Sequence, residues 1–191
     1  MVDFELILQT AEVLLRPLLK EDFGQLADLT NDQSMWTYFT SDLSDKAVLR
    51  DWIADAILQK ENKTRLPFAV IDKASRKIVG STSFGNISYR DKRIEIGWTW
   101  LGQEYQGKGI NNQVKYLMIS YCFEILDFER VEFKTDVLNI PARKALSRIG
   151  MTEEGVLRSH TLMTHDRRRD TIFYSVLKSE WNALKIKNNW I

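Results

Sequence analysis

The spacing of apolar and polar positions divides the first third of the chain into one strand and two helices. Residues 11–22 predict a strand that ends at Arg16-Pro17, and a short helix follows over residues 22–32. Apolar side chains then recur three and four positions apart from Val48 to Ile57. We therefore predict a longer helix there, with Ser44 as its capping residue.

The middle of the chain predicts antiparallel strands. Residues 66–72 and 77–88 are joined by a short polar turn, which is typical of a hairpin, and residues 93–101 form a third strand. Strict alternation in this third strand places Arg93, Glu95, Gly97 and Thr99 on one face. The other face then carries Ile94, Ile96, Trp98 and Trp100.

The remainder alternates between helices and strands. A helix after residue 109 carries one apolar stripe, made of Val114, Leu117, Met118, Tyr121, Cys122 and Ile125. A strand at 130–137 precedes a short helix with Asn139 at its cap and Gly150 as its stop. Two strands at 155–163 and 170–177 and a final helix complete a mixed α/β chain, which we expect to form one domain over residues 1–191.

Composition narrows the classes of function. The 191 residues carry a net charge of +1, so nucleic acid and anionic membranes are not expected partners. One cysteine and two histidines make a zinc cluster unexpected, and Cys122 is interpreted as a buried structural thiol. No apolar run reaches membrane-spanning length and we see no signal peptide, so we expect a cytoplasmic protein.

The segment Gln106-Gly107-Lys108-Gly109-Ile110-Asn111 joins the third strand to the next helix. Glycines before a helix let an anion approach the unpaired amide groups of its first turn, which makes a phosphate site. The spacing matches neither the nucleotide P-loop nor the dinucleotide-binding fingerprint. A tight strand-to-helix turn without a ligand is the alternative interpretation.

This loop and several later motifs together resemble the GNAT family of acetyl-CoA-dependent N-acetyltransferases. Gln106 and Gly109 match the family's phosphate loop, whereas Asn111 departs from its last small position. Asn139, followed by Gly150-Met151 and Glu154-Gly155, is similar to the ribosomal-protein acetyltransferase-like branch. The resemblance covers nearly the whole chain. It implies a mostly antiparallel sheet of about seven strands flanked by helices, with a V-shaped splay between the fourth and fifth strands.

The resemblance also implies the co-substrate and its contacts. Acetyl-CoA would lie in the splay, without a metal, with its pyrophosphate on the amides of the glycine loop. The implied cofactor-binding residues are Trp98, Thr99, Trp100, Leu101, Gln106, Gly107, Lys108, Gly109, Ile110, Asn111, Asn139 and Arg143. Asn139 is also expected to cap its helix, and both roles can hold at once, whereas Arg143 is alternatively a solvated side chain.

Acetyl transfer to an amine needs a base, a polarised carbonyl and a proton for the thiolate. Glu95 is the first candidate for the base, and an ion-paired carboxylate is its alternative interpretation. His160 is the second candidate, while Tyr105 or water supplies the thiolate proton. The backbone N–H of Trp98 is the expected group that polarises the carbonyl.

Two departures from the branch affect catalysis. Ala142 stands where the branch tends to have a serine, and Thr161 stands where it can carry a glutamate.

The resemblance implies a primary amine as the acceptor. This amine would be the N-terminus of a protein, for example a ribosomal protein, or would belong to a peptide or a small molecule. Trp36, Tyr38, Phe39 and Trp52 fall where the family walls its acceptor site, although such aromatic side chains are more often part of the core.

Three functions remain open from the sequence. The first is an N-acetyltransferase. Homodimers are frequent in the branch that this chain resembles. The second is an acyl-CoA sensor that keeps the fold and the binding site but has lost turnover. The third, a phosphate-binding domain of unrelated fold, predicts nucleotide binding without coenzyme A binding.

Overall fold

A single sheet of eight strands forms the centre of the molecule. The computed structural model describes residues 1–190, without the side chain of residue 165. The strand order is β1-β2-β3-β4-β5-β6-β8-β7, and every neighbouring pair except β5 and β6 is antiparallel. The strands are β1 (Leu8–Gln9), β2 (Val13–Pro17), β3 (Arg65–Asp72), β4 (Lys77–Ser88), β5 (Arg93–Leu101), β6 (Arg130–Asp136), β7 (Thr152–Leu162) and β8 (Arg168–Leu177). The eighth strand is the short β1, which sequence patterning missed.

Helices cover both faces of the sheet. They are α1 (Phe23–Leu29), α2 (Lys46–Glu61), α3 (Ile110–Ser120), α4 (Ile140–Ile149) and α5 (Trp181–Asn188). One apolar cluster joins α1 and α2 to side chains such as Ala69 and Trp100. A second, larger cluster joins α3 and α5 to the opposite face, which carries Ile94 and Ile96. The predicted order of elements is therefore confirmed.

The predicted splay is a fork between β5 and β6. Their parallel ladder pairs only Arg93 with Arg130, Ile94 with Val131 and Glu95 with Glu132. Beyond Glu95 the two strands no longer pair, and the β5 edge from residue 96 to 101 faces the fork. We call this gap, from Ile96 to Leu101 on β5 and from Phe133 to Asp136 on β6, the fork.

A β-bulge in β5 corrects the predicted alternation. Gly97 pairs with Ser83 and Trp100 pairs with Ser81, so two residues of β5 stand opposite Thr82 alone. Trp98 in the bulge has φ of 51°, which is unusual for a residue other than glycine. The extra residue turns Trp98 onto the face of Glu95, where its ring packs against Arg65, and not onto the face of Ile96 as predicted.

Helix boundaries differ from the prediction at two places. Asp45 caps α2 by accepting from the amides of Ala47 and Val48, so the predicted cap at Ser44 was wrong by one residue. The chain after α3 continues as a π-helical turn over Tyr121–Ile125. This turn shifts the register of the apolar stripe, and Ile125 is 70% exposed where we expected it to be buried.

Asn139 and Gly150 bound α4 as predicted. The Asn139 side chain accepts from the amide of Ala142, and Gly150 ends the helix with φ of 96°. Within residues 1–190, no helix is both long and apolar enough to cross a membrane.

Candidate active site at the fork

The glycine loop presents a row of unpaired amide groups at the start of α3. Gly107 and Gly109 have φ of 74° and 85°, and a Cβ at either position would meet no atom within 4 Å. In the described part of the chain, the amides of residues 107–111 donate to no protein group. Open space, free donors and the positive end of an eleven-residue helix are together suited to binding an anion.

The loop is fixed to the strand that precedes it. The Gln106 side chain donates to the carbonyl of Leu101 over 3.0 Å, which ties the loop to the end of β5. The ammonium of Lys108 lies 5.8 Å from the ring centre of Tyr105. Burial and the neighbouring Glu104 raise the pKa of Tyr105, so its phenol stays protonated at neutral pH. The distance from Lys108 places the Tyr105 ring at the border of the glycine loop.

Two asparagines in the first turn of α3 have a buried atom without a partner. Among the described side chains, Oδ1 of Asn111 and Oδ1 of Asn112 receive no hydrogen bond. Either amide group can turn to present its Nδ2 donors instead. Asn111, which stands where the family has a small residue, thus adds a polar side chain to the first turn of α3.

Glu95 lies beside the bulge at the root of the fork. Its Oε2 accepts from Nδ2 of Asn86 over 2.6 Å and pairs with Nζ of Lys134 over 3.0 Å. Its Oε1 has no hydrogen-bond partner among the described residues and points over Gly97, where a Cβ would lie 2.8 Å away. The ion-pair interpretation of Glu95 is thus confirmed for Oε2, while Oε1 lies over Gly97.

Cationic and aromatic groups extend this face of the sheet. The guanidinium of Arg65 lies 5.0 Å from the Trp52 ring and 4.6 Å from the Trp98 ring, and Nε donates to Ser83. Arg65 is 2% exposed, and burial lowers its pKa to about 10. Its Nη2 has no partner among the described residues. Gly85 makes room for the Trp98 ring, since a Cβ there would lie 2.5 Å from it.

A buried lysine on the opposite face was missed by sequence analysis. Lys115, in the second turn of α3, is 5% exposed and donates to Oγ1 of Thr99 over 3.1 Å. Burial lowers its pKa to about 7. The sequence does indicate that this lysine is buried, because it lies on the apolar stripe, three residues before Met118 and seven before Cys122.

Three of the predicted site residues make contacts within the protein. Asn139 uses Oδ1 as the α4 cap and Nδ2 to donate to Thr135, so the cap is confirmed. The Arg143 side chain is 31% exposed; it donates to the Tyr174 hydroxyl and the Val137 carbonyl and pairs with Glu153.

His160 is the third such residue. It lies on β7, separated from β6 by β8, and its Nδ1 is 3.1 Å from the hydroxyls of both Thr171 and Thr161. Neighbouring strands lie about 4.8 Å apart, which puts β7 roughly 10 Å from β6. The structure therefore does not bring His160 to the fork.

Comparison with known proteins identifies the family. Residues 12–152 match the family model described as "Acetyltransferase (GNAT) domain". The chain belongs to the GNAT family. Its GNAT relatives include the "Putative ribosomal N-acetyltransferase YdaF" of Bacillus subtilis, 30% identical over 178 residues that cover 91% of this chain and 95% of the relative. The spermidine N(1)-acetyltransferase of Escherichia coli is 24% identical and covers 90% and 89% of the two chains.

Solved structures agree with this assignment. A GCN5-related N-acetyltransferase from Brucella melitensis superposes with a TM-score of 0.89 and 29% identity, covering 97% of this chain and 85% of that chain. GNAT acetyltransferases use acetyl-CoA. The free amides of the glycine loop fit the phosphates of that co-substrate. Within residues 1–190, no group of three or more histidine, cysteine or acidic side chains is arranged to hold a metal.

Proposed function

We propose that the protein transfers the acetyl group of acetyl-CoA to a primary amine by direct attack in a ternary complex. The observation that carries the proposal is the juxtaposition at the fork. A loop with free amides adjoins a strand whose bulge lies beside the unpaired Oε1 of Glu95. The loop and the free edge of β5 can therefore hold the thioester, and Oε1 of Glu95 can take a proton from the amine.

The co-substrate would be held by backbone groups more than by side chains. The amides of residues 107–111 take the pyrophosphate, and Lys108 adds a positive charge at the edge of the loop. The free edge of β5 from Trp98 to Leu101 pairs with the amide groups of the pantetheine arm as an added strand would. Arg143 is not one of these contacts, because its guanidinium joins α4 to β7 and β8.

Glu95 acts as the base in this proposal. Asn86 and Lys134 fix its carboxylate through Oε2, which leaves Oε1 to accept a proton from the incoming amine. Gly97 leaves Oε1 its position, because a Cβ there would lie 2.8 Å from this oxygen and displace it. In this proposal the backbone N–H of Trp98, in the bulge of β5, polarises the thioester carbonyl.

The charges around Glu95 restrict the acceptor. Lys134 pairs with the Glu95 carboxylate, while the guanidinium of Arg65 lies over the rings of Trp52 and Trp98 and is within electrostatic range of Asp55. The face therefore offers aromatic walls and balanced charges, without the surplus of negative charge that would attract a polyamine such as spermidine. We therefore favour an amine with few positive charges, such as a protein N-terminus or a neutral or acidic small amine. Trp36 does not contribute, because it is 2% exposed and packs in the core against Phe39 and Trp100.

A thiol-release assay with acetyl-CoA tests the proposal directly. The acceptor panel contains N-terminal peptides, ribosomal proteins, spermidine, aminoglycosides and free amino acids. We expect release that depends on one acceptor and that falls about 10²–10⁴-fold in Glu95→Gln. Glu132→Gln is the matched control, because Glu132 pairs in register with Glu95 and is held by Arg93 and Arg130. Equal loss in both variants would contradict a role for Glu95 as the base.

An acyl-CoA sensor is the second candidate. It is favoured by Ala142, which has no hydroxyl, and by the engagement of Glu95 with Asn86 and Lys134. A sensor would bind coenzyme A and acetyl-CoA in calorimetry and release no thiol with any acceptor. Binding of neither ligand would exclude both candidates.

A homodimer would use the outer strand of the sheet. β7 is an edge strand of eleven residues with Val156, Leu157 and Leu162 all more than 40% exposed. Exposed apolar edge strands pair readily with a second copy. Light scattering of wild-type protein and of Leu157→Lys measures whether this edge carries the contact.

A further inference from the structure

Lys115 is buried without an acidic partner. Among the described residues no carboxylate lies within ion-pair distance of Nζ, which has one hydrogen bond, to Oγ1 of Thr99. The other neighbour is the ring of Phe133, whose centre lies 5.3 Å from Nζ. An amine stripped of water and left unpaired opposes folding. Packing alone therefore does not explain a lysine where a methionine would fill the same space.

The position of Nζ is more informative than its burial. Thr99 belongs to the bulge of β5, and Phe133 is the first residue of β6 beyond the last parallel pair. The ammonium group thus reaches from α3 to the point where the two strands begin to separate. Glu95 approaches the same point from the other face of the sheet, because it alternates with Ile94 and Ile96, which face α3. A basic and an acidic group flank the root of the fork from opposite sides.

The proposed reaction also needs a proton donor for the leaving thiolate. When the amine attacks the thioester, a C–N bond forms and the C–S bond breaks, which leaves a thiolate on coenzyme A. The branch residue suited to protonate that thiolate is replaced by Ala142, and the structure places Tyr105 at the glycine loop. Lys115 is the proton donor that remains on the α3 side of the fork.

We propose that Lys115 receives the leaving group, holding the thiolate of coenzyme A with its ammonium group and giving it a proton. This inference rests on the proposed acetyl transfer. The acceptor ammonium gives one proton to Glu95 or solvent before the attack and a second one after it. The thiolate takes a proton from Lys115, which regains one from solvent. The sum is one acetylated amine, one thiol and one released proton.

Ligand binding tests the inference without turnover. Coenzyme A and desulfo-coenzyme A, which lacks the sulfur atom, are titrated into wild-type protein, Lys115→Met and Tyr116→Phe. Tyr116 is the adjacent α3 residue and stacks on Trp181, so Tyr116→Phe controls for changes to the helix. We expect wild-type protein and Tyr116→Phe to bind coenzyme A at least about 10-fold more tightly than desulfo-coenzyme A. Lys115→Met should bind both ligands equally, with unchanged affinity for the desulfo compound.

Ultraviolet absorbance of the bound thiol gives a second readout. Beside an ammonium group, the thiol of bound coenzyme A should ionise at lower pH than that of the free ligand, whereas in Lys115→Met it should not. Thermal melting should show Lys115→Met to be as stable as wild-type protein or more so, since the variant removes a buried unpaired amine. In the thiol-release assay its kcat should fall about 10²-fold or more.

Two results would overturn the inference. One is a Lys115→Met protein that melts at lower temperature and loses affinity for both ligands in the same proportion, which is the behaviour of a structural lysine. The other is a wild-type protein that binds the two ligands equally. Failure of wild-type protein to bind either ligand is a different outcome, because it removes the proposed function as well.

Discussion

Adding one methyl group at Gly97 tests whether the position of the Glu95 carboxylate matters for turnover. A Cβ at Gly97 would lie 2.8 Å from Oε1 of Glu95, and ordinary contact begins at 3.4 Å. The carboxylate must therefore retreat by about 0.6 Å. Gly97 does not have a positive φ, so the substitution adds no left-handed backbone strain.

This retreat is small compared with the range of the contacts that hold Glu95. The hydrogen bond from Asn86 to Oε2 would lengthen from 2.6 Å to at most about 3.2 Å, which is still a hydrogen bond. The distance to Lys134 would grow from 3.0 Å to at most about 3.6 Å, which is still an ion pair. We expect Gly97→Ala to cost about 1 kcal/mol or less, which lowers Tm by about 2–4 °C in a chain of this size.

Catalysis should respond much more strongly than stability. A displacement of about 1 Å in a reacting group can cost roughly 100-fold, so 0.6 Å should lower kcat by about 10-fold. Acetyl-CoA affinity should not change, because the loop amides are untouched. The thiol-release assay and calorimetry measure both quantities. Wild-type kcat in a well-folded Gly97→Ala protein would refute the assignment of Glu95 as the base.

Three further predictions concern the loop, an ion pair and the thiol. Gly109→Ala should cost about 1–2 kcal/mol, because alanine disfavours φ of 85°, and it should weaken acetyl-CoA binding in calorimetry. Lys178 and Lys92 lower the pKa of Asp127 from 3.8 to about 2. Their pairing therefore stabilises the fold above about pH 4 and is lost as pH falls toward 2, a loss that melting curves of Asp127→Asn should not show. Cys122 is fully buried and burial raises the pKa of its thiol, so thiol reagents should label it only after unfolding.

The periodic elements were predictable because their signal is local. The stripe of α3 from Val114 to Cys122 and the alternation of β6 each reflect one buried face. The residue types of Asn139 and Gly150 alone indicate both ends of α4. The glycine loop was predictable as a turn between β5 and α3, but the glycines alone left a phosphate site and a tight turn without a ligand as alternatives.

The parts that were missed depend on tertiary contacts. Nothing in the alternation of β5 reveals the extra residue at Trp98, because the bulge is set by its pairing with β4 and by the space at Gly85. The partners of Glu95 lie on two other strands, so the sequence left its ion pair and its free oxygen undecided. Lys115 was overlooked because a lysine on an apolar stripe is ordinarily assigned to the solvent side.

The short ladder between β5 and β6 makes the fork a seam in an otherwise continuous sheet. On one side lie β1 to β5, each beside its neighbour in sequence, and on the other lie β6 to β8. Only three residue pairs of backbone pairing cross from one half to the other. A ligand lying in the fork would extend that crossing, in addition to the apolar cluster that already packs side chains of both halves together. Amide exchange in the strands beside the seam would then report occupancy of the site.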